Sequence, residues 1–463
     1  MIKALGTTLL VAAAFAFGAD AEAQTTPSHH GKTVHHARPH HRGAKARTAC
    51  KRARRHTHYR HRHRHCTAHK AKHRKLHRSR ARRPHARPAA DRSGLSVTST
   101  TPYSANLRWN SVAGAATARV WVNSHMIDDI AAGGSASYDI PGLWPATDFR
   151  VQVVIRNGAG QIVAQHSRIV TTAARSGSFP RLYSPNTFIN TPVGQSPSLE
   201  PNSGAIVSQA FQGYSSRANL SNDTSWGIPV YHASPQSTSY NVACQYYDCW
   251  HQFGPVNIPS NAQPQSGGDG HLVVLQPGGQ EFDMWIGQHT ASGWTAGSRW
   301  EESAYGSAAN CTRVHGCGAA DVAGFALAAG MVRPEEIAQG HIDHALAITT
   351  PDTRANYIAC PATDTDGHHD DPSALPVGAH VQLDPNINVA ALRIPAWEKV
   401  IAVALQQYGA YVIDTGGSVA VYAESNLDRT YNAWGRAGVP ADSPSLANLP
   451  WGSMRVLSMT QCG

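Results

Sequence analysis

Residues 24–90 hold 21 of the chain's 40 Lys and Arg and 15 of its 27 His, with not one Asp or Glu. A run such as His56 to Cys66, HTHYRHRHRHC, offers no apolar face of any period. It cannot bury a core, and is expected to be disordered until it meets a partner. The rest of the chain inverts the picture. Residues 91–463 carry 18 Lys and Arg against 28 of the 30 acidic residues. The whole-chain charge of +10 therefore describes neither part: an acidic body follows a cationic tail.

The partner of such a tail must be anionic: an acidic polysaccharide, a cell-envelope polymer, a membrane surface or nucleic acid. Tyr59 is its one aromatic residue besides His, so nucleic acid is expected to bind non-specifically, without base stacking. Histidines titrate near pH 6.5, so the tail gains charge as pH falls below 7. A solvated linker without a defined ligand is the plainer reading of the same composition.

Residues 1–23 have the form of a secretory signal: Lys3, the apolar stretch Leu9 to Phe17, and Ala21-Glu22-Ala23 as a small-x-small cleavage site. The apolar stretch is too short to span a bilayer, and no later segment is long and apolar enough. Export places the eight cysteines where disulfides persist. The economical pairing is local, Cys50 with Cys66, Cys244 with Cys249 and Cys311 with Cys317, leaving Cys360 and Cys462 to staple the C-terminus to the body. A zinc site from Cys244, Cys249, Cys311 and Cys317 is the alternative, against which the long CxxxxC and CxxxxxC spacings count.

From about residue 93 to 174 short alternating runs replace the basic tail. They include Ala105 to Trp109, Arg119 to Val122 and Phe149 to Ile155, with Asn157-Gly158 as a hairpin turn. Trp109 and the run Leu143-Trp144-Pro145-Ala146-Thr147-Asp148-Phe149-Arg150-Val151 resemble a fibronectin type III domain. Phe149 stands where that family usually has the corner Tyr, which removes a hydroxyl bond and keeps the packing. The resemblance implies a β-sandwich that serves as a spacer or binding module and has no chemistry of its own.

Residues 175–225, rich in Ser, Asn, Pro and Gly, read as an irregular linker or lead-in to the body. Residues 226–463 form the largest domain, mainly β: a sandwich or jelly-roll-like fold with a few helices. The expected strands are His271 to Leu275, Gln280 to Ile286, His341 to Ile348, His380 to Leu383, Ala410 to Asp414 and Ser418 to Ala423. One helix is expected over Arg333–Gln339, with Pro334 and two Glu in its first turn and Gly340 as its stop. A second, over Pro395–Tyr408, carries Trp397, Val400, Ile401, Ala404, Leu405 and Tyr408 on one face. The stretches GDGHLVVL from Gly268, GAADVAGFALAAGMVRPEEI from Gly318 and GHIDHALAITTPDTR from Gly340 resemble a family of secreted bacterial proteins of unassigned activity. So do LPVGAHVQLDP from Leu375 and ALQQYGAYVIDTGG from Ala404. That resemblance implies no reaction.

Chemistry must come from the residues. On a strand over 281–286, Glu281, Asp283 and Trp285 share one face and Phe282, Met284 and Ile286 the other. Two carboxylates at that spacing beside a Trp suit glycoside hydrolysis, with the ring as a sugar platform. A half-exposed strand with its polar residues outward fits the same pattern. His344, expected on an apolar strand face, and His271, behind a Gly-Asp-Gly turn, are the other candidates. With Asp269 they can form an acid–base cluster or hold a divalent metal. No cofactor is otherwise expected. For a lyase, His344 or Tyr411 is the base and Arg354 neutralises a uronate carboxylate. Asp321 is expected to cap a small-residue helix, DVAGFALAAG. The loop from Asp364 to Asp371 reads as solvated, with calcium binding as the sharper alternative. No Gly-x-Ser-x-Gly, P-loop or His-Glu-x-x-His sequence is present.

The expectation is a secreted or cell-surface, multi-modular protein that engages extracellular polysaccharide or cell-envelope glycan; whether it also cleaves the glycan is left open, and if it does, it is a glycoside hydrolase or polysaccharide lyase. The alternative is a non-enzymatic adhesin or wall-associated scaffold anchored by its tail.

Overall fold

The computed structural model describes residues 94–132, 136–246, 254–303, 306–309, 320–440 and 442–462. The signal segment 1–23, the basic tail 24–92, and Cys50, Cys66, Cys249, Cys311 and Cys317 lie outside the described residues. Among the described residues, no helix is long and apolar enough to cross a membrane.

The first module consists of β1 (Leu95–Thr100), β2 (Ala105–Trp109), β3 (Ala115–Val122), β4 (His125–Ala131), β5 (Ser137–Ile140), β6 (Asp148–Asn157) and β7 (Ile162–Thr171). A three-stranded sheet, β1-β2-β5, faces a four-stranded one, β4-β3-β6-β7. This is the sandwich that the fibronectin type III resemblance implies. Inward residues at alternate positions, such as Leu107, Trp109, Val120, Val122, Phe149, Val151 and Val153, fill the space between the sheets.

The body begins with α1 (Ser203–Val207) and β8 (Asn219–Ser221), then β9 (Val230–His232), β10 (Ser239–Tyr240), β11 (Ala243–Cys244) and β12 (Val256–Asn257). It continues through β13 (Leu272–Leu275), β14 (Gln280–Trp285), β15 (Gln288–Thr290), β16 (Gly293–Ala296) and β17 (Ser298–Ser303). Next come α2 (Pro334–Gln339), β18 (Leu346–Thr350), β19 (His380–Leu383), α3 (Ala396–Gln407) and β20 (Ala410–Thr415). The last elements are β21 (Ala420–Tyr422), α4 (Ala433–Arg436) and β22 (Met454–Val456).

Two larger sheets organise it: β17-β14-β13-β9, and the six-stranded β22-β19-β20-β18-β21-β8. The larger sheet is mixed, because β18 pairs in parallel with β20 and α3 precedes β20 in the crossover. One face of it packs on α1 and α3, burying Trp397, Ile401 and Leu405. Each such side chain contributes about 1.5–3 kcal/mol. The other face packs toward the four-stranded sheet, with the segment 320–332 between them. Residues 175–225 are built into this body: Ile206, Val207 and Phe211 lie in its core, and β8 closes an edge of the sheet.

Two local expectations are corrected. The strand read over His341–Ile348 starts only at Leu346. Gly340 turns left-handed (φ 92°) to end α2, and His344 is tied back to Glu336, so 341–345 stays irregular. The segment DVAGFALAAG is not helical. Its N–H groups at Leu327 and Ala328 go to carboxylates of β14 instead of to carbonyls one turn back. Gly330 (φ +80°) also lets the chain lie against β18, where a Cβ would come within 2.6 Å of the Ala347 nitrogen.

The sandwich is docked on the body. Asp128 on β4, fully buried, accepts from Ser237 Oγ at 2.5 Å and the Ser260 nitrogen at 3.1 Å. Tyr431 packs its ring 5.7 Å from Phe149 and donates to the Gly142 carbonyl at 2.9 Å. A small cavity lies along this seam, lined by residues such as Ile140, Val230, His232 and Asp428.

Cys360 and Cys462 form the expected staple, with Cα atoms 5.1 Å apart across 102 residues. Cys244 is disulfide-bonded as well. Replacing Cys360 and Cys462 together by Ser is expected to lower unfolding stability by about 2–5 kcal/mol, because the bond limits the unfolded chain. A guanidinium midpoint equal to wild type would contradict this.

Candidate active site

The alternation read in β14 is present, but its acidic face is not turned to solvent. Glu281 and Asp283 are fully buried, facing the layer between the two sheets. The small residues of 320–330 let backbone reach them. The Ala328 N–H donates to Glu281 at 3.0 Å and the Leu327 N–H to Asp283 at 2.9 Å. Tyr183 donates its hydroxyl to Glu281 at 2.5 Å. Burial, then the neighbouring Glu281, pushes Asp283 well above the usual carboxylate range. Two adjacent buried carboxyls resist ionising together.

A second, less buried group of carboxyls lies near this pair, coupled to it through Asp321. Asp269 sits in the turn before β13, Asp321 in the turn that crosses the sheets, Asp366 on the loop before β19, and Asp414 near the end of β20. Asp269, Asp321 and Asp414 are half-buried, and Asp366 is exposed. Together they form one acidic cluster, in which Asp414 feels the other three carboxyls. Backbone bonds hold it: Ile286 N to Asp269 O at 2.7 Å, and Ala323 N to Ile413 O at 3.0 Å. Thr415 donates to Asp366 at 2.5 Å.

The electrostatics follow from this convergence. Asp414 is pushed well above its ordinary range by burial and then by Asp366, Asp269 and Asp321. Asp321 is raised to about 8, chiefly by burial, against the lowering effect of hydrogen bonds from the Phe325 and Gly324 N–H groups. Those bonds, 2.9 and 2.8 Å to one carboxylate oxygen, make it the cap of an irregular turn. Its other oxygen is buried with no hydrogen-bond partner. His271 is lowered by burial, opposed by Asp269, and one ring nitrogen lies 2.9 Å from the Ala320 carbonyl. Tyr422, at the base, is raised by burial and the same four Asp residues.

Asp269, His271, Glu281 and Asp283 thus meet in one region. His344 does not join them. It is buried with Nδ1 2.8 Å from the Ala345 carbonyl and Nε2 3.0 Å from Glu336. Both ring nitrogens face acceptors and point away from the acidic cluster's carboxyls, toward Ala345 and Glu336. Glu336 is lowered to about 2: burial opposes this, but Arg333 and His344 outweigh it. Tyr411 is a buried ring stacked 4.1 Å from His380. Arg354 lies over the Tyr357 ring at 4.4 Å. Trp285 is half-buried and meets Tyr246 edge-on at 6.3 Å. Trp226, 53% exposed, lies against Gly267, two residues before Asp269.

Sequence reading missed Asp414, Trp226 and Tyr183, gave Asp321 only a capping role, and read Asp366 only as part of a solvated or calcium-binding loop. Each is one polar or aromatic residue in a turn or at a strand end, where periodicity carries no signal. Among the described residues, the donors close enough to share one metal ion belong to Asp352, His368 and His369.

No protein-family model matches the sequence, and no curated protein matches it. Among solved structures, the fn3 domain of human collagen alpha-1(XX) chain is similar at 26% identity over 19% of this chain and 88% of that one, with a TM-score of 0.16. The Clostridium perfringens spore cortex lytic enzyme SleM is similar at 11% identity over 17% of this chain and 27% of its own, also with a TM-score of 0.16. The chitinase ChiA74 from Bacillus thuringiensis is similar at 16% identity, over 23% of this chain and 19% of that one, with the same TM-score of 0.16. Each likeness is confined to a small share of this chain.

Proposed function

We propose that the body is a glycan-cleaving domain, a hydrolase of extracellular or cell-envelope polysaccharide, and that the acidic cluster of Asp269, Asp321, Asp366 and Asp414 is its active site. One observation carries this reading: Asp269, Asp321, Asp366 and Asp414 converge from separate turns and strand ends, and burial with their mutual repulsion raises Asp414 well above its ordinary range, while burial above all raises Asp321 to about 8. Glycoside hydrolysis needs a carboxylic acid that protonates the leaving oxygen and a carboxylate that attacks or activates water. Asp321 is assigned as the acid through its second oxygen, which has no hydrogen-bond partner and must be uncovered when substrate binds. Asp269 or Asp366 takes the proton of the attacking water or bonds to the anomeric carbon. The C–O bond then breaks, with the released sugar oxygen carrying the proton from Asp321. Asp414 stays protonated and serves as a hydrogen-bond donor, and Trp226 is a stacking surface for a sugar ring.

The export signal and the basic tail fit such a role. The tail would retain the body on a polyanionic surface, more strongly as pH falls.

The test is release of reducing ends by the full-length protein from cell-envelope preparations and from neutral and uronate-bearing polysaccharides. Asp414→Asn is expected to lose at least about 100-fold in rate, the scale of a lost acid–base or donor group. Binding of glycan without release by the wild type would sink the enzymatic reading in favour of an adhesin. So would equal release by the variant.

A further inference from the structure

We propose a divalent transition-metal site, with zinc as its best-suited ion, built from Asp352, His368 and His369. One donor atom from each residue lies within 4.8 Å of the others. His369 Nε2 is 3.0 Å from Asp352 Oδ1, and the two histidine rings have centroids 4.5 Å apart at 49°. Ligands on a tetrahedral zinc are about 3.3 Å apart, given bonds of about 2.0–2.1 Å. The three donors therefore need shifts of about an ångström to converge on one ion.

The backbone that carries the donors is fixed. The His368 and His369 N–H groups both donate to the Thr353 carbonyl, at 3.1 and 3.0 Å, and Ala355 N donates to the His369 carbonyl at 2.8 Å. Gly367 makes this closeness feasible, since a Cβ there would lie 2.1 Å from the Arg354 carbonyl oxygen. The second oxygen of Asp352 accepts from Tyr214 at 2.6 Å. That is the outer contact that orients a ligating carboxylate and leaves its other oxygen for metal.

Two imidazoles and a carboxylate suit zinc and other first-row ions better than calcium or magnesium, which prefer oxygen donors throughout. Three protein ligands on a half-exposed surface leave the fourth position to water. An ion here would pin the same loop that brings Asp366 to Thr415, but its binding does not depend on whether the acidic cluster cuts a glycan.

The experiment compares full-length wild type with Asp352→Asn and with His368→Ala/His369→Ala. Zinc is measured per chain after equilibrium dialysis, and thermal unfolding is followed with and without it. All variants carry the same histidine-rich tail, so metal taken up there cancels in the comparison. The expected result is about one zinc more per wild-type chain and a zinc-dependent rise in Tm of roughly 3–5 °C that both variants lack. Tyr214→Phe is expected to weaken binding about 10–100-fold without changing the stoichiometry. Asp352→Asn keeps the shape of the side chain, so a folded variant is at hand if the double one unfolds. Equal uptake and equal Tm shifts in wild type and variants would overturn the site and leave Asp352 and His369 as an ion pair.

Discussion

Arg429→Met is expected to destabilise the folded protein by about 3–5 kcal/mol, as removing one member of a buried charge cluster does. The guanidinium is buried with Glu335 at 2.9 Å, Asp428 at 2.9 Å and Glu424 in contact, and it also donates to the Gly142 carbonyl of the sandwich at 3.1 Å. Burial alone would lower its pKa, but Glu335, Glu424 and Asp428 raise it well above its usual range, so it remains a cation. Removing that charge strands several buried carboxyls, which cannot ionise without a partner. Methionine keeps much of the volume, so the loss reads as electrostatic rather than as a cavity. Guanidinium unfolding measures it. Limited proteolysis of the variant is expected to release the sandwich, since Arg429 bonds to both modules. A midpoint within experimental scatter of wild type would refute this account of the seam.

Asp321→Asn is expected to lower polysaccharide cleavage by about 10²–10⁴-fold, the contribution of a positioned general acid. Wild-type activity should fall as pH rises through about 8, where Asp321 loses its proton, and the residual activity of Asp321→Asn should lack that limb. Stability carries the same signature. The folded-state pKa lies above the ordinary value of about 3.9, so the folded form binds this proton more tightly than the unfolded chain. The contribution of the site is full below about pH 4, declines as pH rises toward 8, and is level beyond it. Asn removes that slope between pH 4 and 8. A pH–rate profile of the variant with an unchanged limb near 8 would remove Asp321 from the acid role, whatever the loss in rate.

Glu281, Asp283 and His344 show how far pattern alone reaches. The period-two alternation of β14 put both carboxyls on one face, and that holds. It did not tell which face meets solvent, because both faces of β14 are covered, one by the small-residue segment 320–330. His344 attracted notice as a histidine among apolar neighbours. Its partner, Glu336, is eight residues away on α2, and a turn whose geometry depends on Gly340 brings them together.

Local order was legible where a local cause sets it. The sandwich strands, α2 with Pro334 and Gly340 at its ends, the amphipathic α3, and the staple from Cys360 to Cys462 all follow from short-range pattern or simple pairing. The acidic cluster was not legible. Asp269, Asp321, Asp366 and Asp414 are spread over nearly 150 residues, each in a turn, a loop or near a strand end, where no periodicity marks it. Only the packing of two sheets, with a glycine- and alanine-rich segment threaded between them, gathers four carboxyls and raises Asp321 and Asp414. The desolvation and mutual repulsion behind those shifts arise between residues distant in sequence, so they exist only once the chain has folded.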